Sequence, residues 1–289
     1  MFASPAEGAD PAQTDIYSIK PDGSALKRLT TSAPDAAGNV QPQGSPALSP
    51  NRTQIVYVSV TSDNVQSQLR IMNVDGTNNR LLSSDSNLNG ATVPTWSPDG
   101  NRIAFSKGND GIFIVNANGT GLRQLTTLGA NPSWSINNQI AFNAAPNVQA
   151  SSQALKRGTR GVLPPGTSAN NDIWVVGVAG SGLRQLTQRS QTETGLASIN
   201  PSWSPDGRTL VFNSLPGSGV DAKLYLVNAD GTNRRSLANL TGTDAAFSPD
   251  ASQIVYSATN GLSVVGVNGS NPKLLNASAE LFVEDTDWR

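Results

Sequence analysis

Short segments in which apolar and polar residues alternate recur along the chain, and turns rich in Pro, Asp, Asn and Gly separate them. Alternation with a period of two is the pattern of a half-buried β-strand, and Asp-Gly or Asn-Gly turns favour tight hairpins. In residues 15–30, for example, Asp-Ile-Tyr-Ser-Ile leads into Lys-Pro-Asp-Gly, and Lys-Arg-Leu-Thr follows. The pattern therefore predicts antiparallel strands joined by tight turns.

This hairpin occurs six times in the same arrangement. Each copy has a turn glycine, a basic residue four positions later and a leucine two positions after that. The glycines are Gly23, Gly76, Gly119, Gly180, Gly231 and Gly269, and the basic residues are Lys27, Arg80, Arg123, Arg184, Arg235 and Lys273. We interpret the basic residues as a solvent-facing sheet edge, where Lys and Arg discourage association between sheets.

A second hairpin alternates with the first. Its clearest copies carry Trp-Ser-Pro-Asp-Gly at residues 96–100 and 203–207, each followed by a short apolar strand. One repeat therefore has four strands, and successive turn glycines lie roughly 40 to 60 residues apart, as in propeller blades. Stacking such sheets around an axis buries both faces of each sheet. The predicted fold is all-β, a six-bladed β-propeller with four-stranded antiparallel blades.

The two ends of the chain each contain part of one blade, and together they supply its four strands. Residues 1–30 contain three strands without an inner one, and residues 283–289 resemble the start of an inner strand. We expect a composite blade from these segments and full blades at about 44–83, 92–127, 130–187, 199–238 and 243–276, within one domain covering 1–289. Residues at one equivalent position are expected to pack between blades: Leu48, Trp96, Trp134, Trp203, Phe247 and Trp288. Because the pattern breaks off abruptly at Arg289, we also expect the chain to be one domain of a longer protein.

The motifs Trp-Ser-Pro-Asp-Gly, Ile-Ala-Phe-Ser (103–106) and Asn-Ala-Asp-Gly-Thr-Asn (228–233) resemble the repeat of TolB-like propellers, a relative of WD40-type blades. The resemblance covers the propeller domain only, since the family's N-terminal α/β domain has no counterpart in residues 1–289. It implies a bacterial, periplasmic or extracellular scaffold without enzymatic activity, which binds a protein or peptide, with a cell-envelope protein as the candidate partner. The same repeat occurs in other contexts. The alternatives are a carbohydrate-binding or carbohydrate-active propeller and a substrate-gating domain of a larger hydrolase.

Composition limits the chemistry. The chain has no histidine and no cysteine, which excludes Ser-His-Asp and Cys-His nucleophiles, His-ligated zinc and the His-dependent chemistry of related oligogalacturonate lyases. No catalytic residue is predicted, although a pair of carboxylates could still serve a glycosidase-type mechanism. The net charge of −1 gives no field that favours nucleic acid, and no apolar run is long enough for membrane insertion.

The longer connections between strands should share one face of the disc, because successive strands alternate in direction. Recognition usually resides in long loops on a rigid scaffold. The longest, residues 144–171, carries Lys156, Arg157 and Arg160. This cluster is a candidate binding site for an acidic partner. The alternative is that the loop is a solvated insertion whose charges keep the loop soluble.

A second candidate site lies where the inner strands begin. The residue three positions before each equivalent large residue is Ser45, Val93, Asn131, Asn200, Asp244 or Asp285, and the ring should gather them at the mouth of the central channel. The candidate binding residues are Asn131, Asn200, Asp244, Glu284, Asp285 and Asp287. These oxygens suit a calcium ion at Asp244 and Asp285, the one cofactor considered, or a cationic side chain of a partner. The alternative is that they are hydrated channel residues or strand-end caps.

Overall fold

The computed structural model of the chain is a six-bladed β-propeller of four-stranded antiparallel blades, which confirms the predicted fold class. The structure describes residues 1–5, 13–32, 41–61, 66–145, 171–188, 197–215, 222–259, 261–275 and 288. Within them, five sheets have four strands and the N-terminal sheet has three. Each chain segment runs through its sheet from the channel outward, so the first strand of each full sheet faces the axis.

The strands of the successive sheets have the following bounds. The N-terminal sheet contains β1 Phe2–Pro5, β2 Thr14–Ser18 and β3 Lys27–Arg28. The next two sheets contain β4 Gln43–Leu48, β5 Gln54–Val60, β6 Ser67–Asn73 and β7 Arg80–Leu81, then β8 Ala91–Trp96, β9 Arg102–Lys107, β10 Ile112–Asn116 and β11 Arg123–Gln124. The fourth sheet contains β12 Ala130–Trp134, β13 Gln139–Ala144, β14 Asp172–Gly177 and β15 Arg184–Gln185. The fifth contains β16 Ala197–Trp203, β17 Thr209–Leu215, β18 Lys223–Asn228 and β19 Arg235–Thr241. The sixth contains β20 Thr243–Phe247, β21 Gln253–Ala258, β22 Gly261–Gly266 and β23 Lys273–Leu274.

Two short 3₁₀ helices, Ser86–Leu88 and Gly108–Asp110, interrupt the described connections. In the described part of the chain, no helix has the length and apolar character needed to span a membrane.

The apolar core is divided among the interfaces between neighbouring sheets. Each of the six clusters found among the described residues draws side chains from two successive sheets, as expected when a sheet can bury its faces only against its neighbours. Trp96, for example, is 1% exposed and packs against Val56 of the preceding sheet. Its indole Nε1 donates a 3.0 Å hydrogen bond to the carbonyl oxygen of Ala47. The large residues at this position therefore hold adjacent blades together.

The Ser-Pro-Asp-Gly motif makes the tight turn between the first two strands of a sheet. In the turn after β16, Ser204 Oγ donates to Asp206 Oδ1 at 2.6 Å and accepts the backbone N–H of Thr209 at 3.0 Å. Ser97 and Ser248 make the same pair of contacts in their own turns. The hydroxyl and carboxylate thus satisfy backbone donors that the turn leaves unpaired.

Two of the basic residues on the outer strands, Arg123 and Arg184, connect their blade to the next one. Arg184 Nη2 donates to the carbonyl oxygen of Ala229 at 2.6 Å, and Arg123 makes the equivalent bond to Val178 at 2.5 Å. Both arginines are half-buried, and burial lowers the pKa of Arg123. The interpretation as a solvent-facing edge was wrong for Arg123 and Arg184, because their guanidinium groups reach the neighbouring blade, whereas Lys27, Arg80, Arg235 and Lys273 are exposed as predicted.

The ring closes between the last full sheet and the N-terminal sheet. Phe2 and Tyr17 share an apolar cluster with Val255 and Leu262, and the half-buried Trp288 packs against the same cluster. The remaining residues of the predicted composite strand, 283–287 and 289, lie outside the described residues. The contact of Trp288 with both sheets fits a C-terminal segment at this seam.

Candidate functional site at the channel mouth

Every inner strand of the five full sheets carries a β-bulge at the same place. In β16, Ile199 pairs with Asn213 and Ser202 pairs with Val211, so that Asn200 and Pro201 together oppose Phe212. The same two-against-one arrangement occurs in β4, β8, β12 and β20. The opposing residue is a buried aromatic ring in each case, namely Tyr57, Phe105, Phe142, Phe212 or Tyr256. Bulges of this kind redirect a side chain and are frequent beside functional sites.

The first residue of each bulge has a left-handed backbone conformation. The φ angles are 50° at Ser45, 46° at Val93, 54° at Asn131, 51° at Asn200 and 51° at Asp244. Asn and Asp are the residues other than glycine that adopt this conformation most readily, whereas a β-branched valine rarely does. In four of the five strands the next residue is a buried proline, which has no N–H to lose from the ladder at a bulge.

The five bulges surround one cavity at the axis, on the face of the longer connections. Its volume is about 120 Å³, and its described lining consists of the left-handed residue and the two following residues of each inner strand. Drug-sized ligand pockets are larger, at roughly 300–1,000 Å³. The cavity thus has room for the end of one side chain, an ion or a few waters.

A chain of hydrogen bonds links three neighbouring blades across this mouth. Asn131 Nδ2 donates to Asn200 Oδ1, and Asn200 Nδ2 donates to Asp244 Oδ1 at 2.7 Å. The direction follows from chemistry, because an ionised carboxylate only accepts. Asn200 must turn its NH₂ toward Asp244, which leaves its oxygen for the NH₂ of Asn131. Donors therefore point along the ring toward the carboxylate.

Two buried asparagines lie behind this chain on the second strands. Asn143 Oδ1 accepts the backbone N–H of Asn200 at 3.4 Å. Asn213 occupies the same position in the next sheet, and its Nδ2 donates to the carbonyl oxygen of Gly242 at 2.8 Å. Asn213 is fully buried, and its Oδ1 has no hydrogen-bond partner among the described residues. One buried acceptor oxygen on the second strand of this sheet is therefore left without a described donor.

The structure brings together the predicted site residues Asn131, Asn200 and Asp244 around one cavity. Glu284, Asp285 and Asp287 lie outside the described residues, as do Lys156, Arg157 and Arg160 of the long loop. The calcium site at Asp244 and Asp285 stays a prediction. In the described ranges, no group of three or more Asp or Glu side chains is arranged to hold a metal ion.

Sequence reasoning missed Asn143 and Asn213, which support the mouth from the second strand. It also missed the bulge itself, although the signal was present. Asn-Pro occurs at 131–132 and 200–201, with Ser-Pro and Val-Pro at the equivalent places in β4 and β8. A proline inside an otherwise strand-like run indicates a bulge or an edge.

The described lining of the cavity contains no aromatic ring, and Asp244 is its sole charged residue. Glycoside hydrolysis needs two carboxyl groups at a defined separation. The described lining residues supply one carboxyl group of such a pair.

No family model matches this chain. Among solved structures, TolB from Acinetobacter baumannii is similar with a TM-score of 0.69 and 17% identity, over 94% of this chain and 61% of that one. A protein assigned as TolB from Agrobacterium tumefaciens aligns with a TM-score of 0.63 and 16% identity, over 87% of this chain and 84% of that one. An oligogalacturonate lyase in complex with manganese aligns with a TM-score of 0.54 and 13% identity, over 96% of this chain and 73% of that one.

These similarities define the class of protein: the chain is a TolB-like six-bladed propeller in its fold. It spans 61% of the length of the Acinetobacter protein. Because the neighbours include both TolB proteins and an enzyme, the fold by itself does not assign an activity.

Proposed function

We propose that this chain is a non-enzymatic binding propeller of the bacterial cell envelope, which recognises a protein or peptide partner through its channel mouth and the surrounding long-loop face. The observation that carries the proposal is the hydrogen-bonded chain of Asn131, Asn200 and Asp244, held by left-handed bulges around a small cavity. The TolB-like fold supports a partner that is a protein and a periplasmic or extracellular location.

The bulges support a binding role because they hold an unfavourable backbone conformation at several equivalent positions. A β-branched residue such as Val93 at φ 46° is strained by roughly 1–2 kcal/mol. A strand without the bulge would avoid this strain and would complete its ladder. Strain that recurs around a cavity is a reason to infer function there.

The size and rigidity of the mouth favour one inserted side chain over a large ligand. The volume of about 120 Å³ accommodates a side-chain end, and buried prolines fix the wall on which the polar groups stand. A preformed site loses little conformational entropy on binding. A peptide that spans the long-loop face could therefore anchor one residue in the mouth and make its other contacts on the rim.

The experiment is a selection of random peptides displayed on phage against the immobilised protein. The affinities of enriched peptides are then measured for the wild type, for Asn200→Ala and for Asn116→Ala. Asn200 is the central member of the hydrogen-bonded chain, whereas Asn116 is an exposed asparagine in a tight turn, where it donates to Thr120 Oγ1 at 3.2 Å. Thermal melts verify that both variants are folded.

We expect peptides whose affinity falls at least tenfold for Asn200→Ala and stays unchanged for Asn116→Ala. A loss of tenfold corresponds to about 1.4 kcal/mol. Enriched peptides that bind both variants like the wild type would place recognition elsewhere on the protein. A selection that enriches nothing above the bare support would contradict the proposal altogether.

A further inference from the structure

We infer that the side chain taken into the mouth is cationic, a guanidinium or an ammonium group. This inference rests on the proposed function and names the chemistry of its partner. It is carried by the juxtaposition of the Asp244 carboxylate with a one-way chain of amide donors, beside a small cavity with an apolar wall.

The charge of the cavity wall is the first argument. Asp244 is the one charged residue among the described lining residues, so the described wall carries a single negative charge and no positive one. A small cavity lined by one sign of charge concentrates counter-ions of the other sign. An acidic side chain would be repelled by this wall, and a neutral side chain would gain hydrogen bonds without the charge attraction.

The direction of the hydrogen bonds is the second argument. Asn200 donates to Asp244, and Asn131 donates to Asn200, so both amide groups hold the carboxylate without neutralising it. Neutral donors stabilise the ionised form of a carboxylate. The donors of the chain therefore all point toward the Asp244 carboxylate.

The third argument is the acceptor behind the ring. Asn213 Oδ1 is buried and has no hydrogen-bond partner in the described part of the chain, although the equivalent Asn143 Oδ1 accepts the N–H of Asn200. A buried acceptor without a donor adds to the negative potential around it. This potential favours a group that carries several donors, as guanidinium and ammonium groups do.

The shape of the mouth completes the match. Buried prolines at 46, 94, 132 and 201 and the alanines Ala47, Ala245 and Ala246 give the cavity an apolar wall below its polar rim. Arg and Lys carry an apolar stem with a charged end, so their side chains can contact both surfaces at once.

The test uses two matched peptides, acetyl-Gly-Arg-Gly-amide and acetyl-Gly-Gln-Gly-amide, added to the ¹⁵N-labelled protein at low salt. The readout is the NMR shift of the side-chain amide signals of Asn131 and Asn200. The signals are assigned by their loss in Asn131→Ala and Asn200→Ala. The titration is repeated with Asp244→Asn, which keeps an acceptor for Asn200 but removes the charge, and with Asp206→Asn, which removes a carboxylate from a tight turn between β16 and β17. Calcium chloride alone is a third ligand.

The arginine peptide should shift both amide signals in the wild type and in Asp206→Asn, bind at least tenfold more weakly to Asp244→Asn, and be displaced as salt is added. The glutamine peptide should bind at least tenfold more weakly than the arginine peptide to the wild type. This comparison needs no variant, so it decides the inference even if Asp244→Asn fails to fold.

Equal binding of the two peptides would overturn the cationic preference. So would equal binding of the arginine peptide to the wild type and to Asp244→Asn. If calcium shifts the signals and the arginine peptide does not, the mouth is a site for a hard metal ion. In each of these cases, the proposed function would still hold if the affinity of the phage-selected peptides falls in Asn200→Ala. If that affinity is unchanged in Asn200→Ala, the proposed function fails as well, on separate evidence.

Discussion

Replacing Gly23 by alanine should loosen the seam at which the propeller closes. Gly23 lies in the turn between β2 and β3 at φ 88°, and a Cβ built on it would lie 2.5 Å from the carbonyl oxygen of Leu275 in the last full sheet. Such atoms essentially never approach within 3.0 Å of a neighbour, so either the turn or the Leu275 backbone must move. The substitution therefore separates two blades that must stay in contact for the ring to remain closed.

The magnitude can be estimated from a matched control. Gly182 has φ 66° and no atom within 4 Å of its built Cβ, so Gly182→Ala has the same kind of unfavourable backbone without the clash. A left-handed alanine costs roughly 1–2 kcal/mol, offset by about 0.4–1 kcal/mol from the stiffer unfolded chain. Gly182→Ala should therefore lose about 1 kcal/mol. Gly23→Ala adds an overpacking cost of roughly 1–3 kcal/mol, for a total of about 2–4 kcal/mol.

The assay is differential scanning calorimetry at pH 7. In a chain of this size each kcal/mol lowers the Tm by roughly 2 °C, so we expect a loss of about 4–8 °C for Gly23→Ala and about 2 °C for Gly182→Ala. Gly119→Ala should behave like Gly23→Ala, because its Cβ would also lie 2.5 Å from a carbonyl oxygen, that of Leu82 in the preceding blade. Equal melting temperatures for Gly23→Ala and Gly182→Ala would refute this account of the seam.

Three further predictions concern the bulges, the turns and the C-terminus. Val93→Asn should raise the Tm by roughly 2–4 °C, because the left-handed conformation costs asparagine at least about 1 kcal/mol less than it costs valine. An unchanged or lower Tm would argue that the bulge is unstrained. The Ser248 hydroxyl lowers the pKa of Asp250 to about 2, so this group stabilises the fold above pH 3.8 and loses that contribution as the pH falls toward 2. Asp250→Asn should therefore make the Tm depend less steeply on pH in the acid range. The variant should keep the turn, since Asn51 makes equivalent contacts with Ser49 and Thr53 in its own turn. An unaltered dependence of Tm on pH would assign the acid sensitivity to other groups. Trp288→Ala should lower the free energy of unfolding in urea by about 2 kcal/mol. This loss is smaller than the roughly 3–5 kcal/mol expected for a fully buried Trp, because Trp288 is half-buried. No loss would mean that Trp288 does not stabilise the contact between the first and last sheets.

The blades could be predicted from the sequence because their signals are local. The turn at residues 204–209 illustrates this, since the Ser204 and Asp206 side chains satisfy backbone donors within five residues of themselves. Strand alternation is equally local, and together these signals define the hairpins whatever surrounds them. The stacking of Trp96 on the preceding blade followed from its size and from its equivalent position in each repeat.

Contacts between blades could not be predicted in the same way. The bond from Arg184 to the Ala229 carbonyl joins residues 45 positions apart, and nothing in the local sequence distinguishes this arginine from a solvated one. The same holds for the mouth. Its residues Asn131, Asn200 and Asp244 followed from aligning the repeats, but their hydrogen-bonded order depends on the angle at which neighbouring blades meet.

The bulge explains why a simple strand alignment grouped side chains that do line one cavity. A one-residue shift in an ordinary strand moves every following side chain to the opposite face. Here the extra residue is present in all five described inner strands, so the shift is common to them and their equivalent positions stay aligned. Because the bulge places its left-handed residue at the mouth in each blade, we expect one change at this position to alter the proposed ligand preference without altering the packing of the buried aromatic residue behind it. If the proposed function holds, such a propeller would change its partner through the residues at 45, 93, 131, 200 and 244 while its blades stay the same.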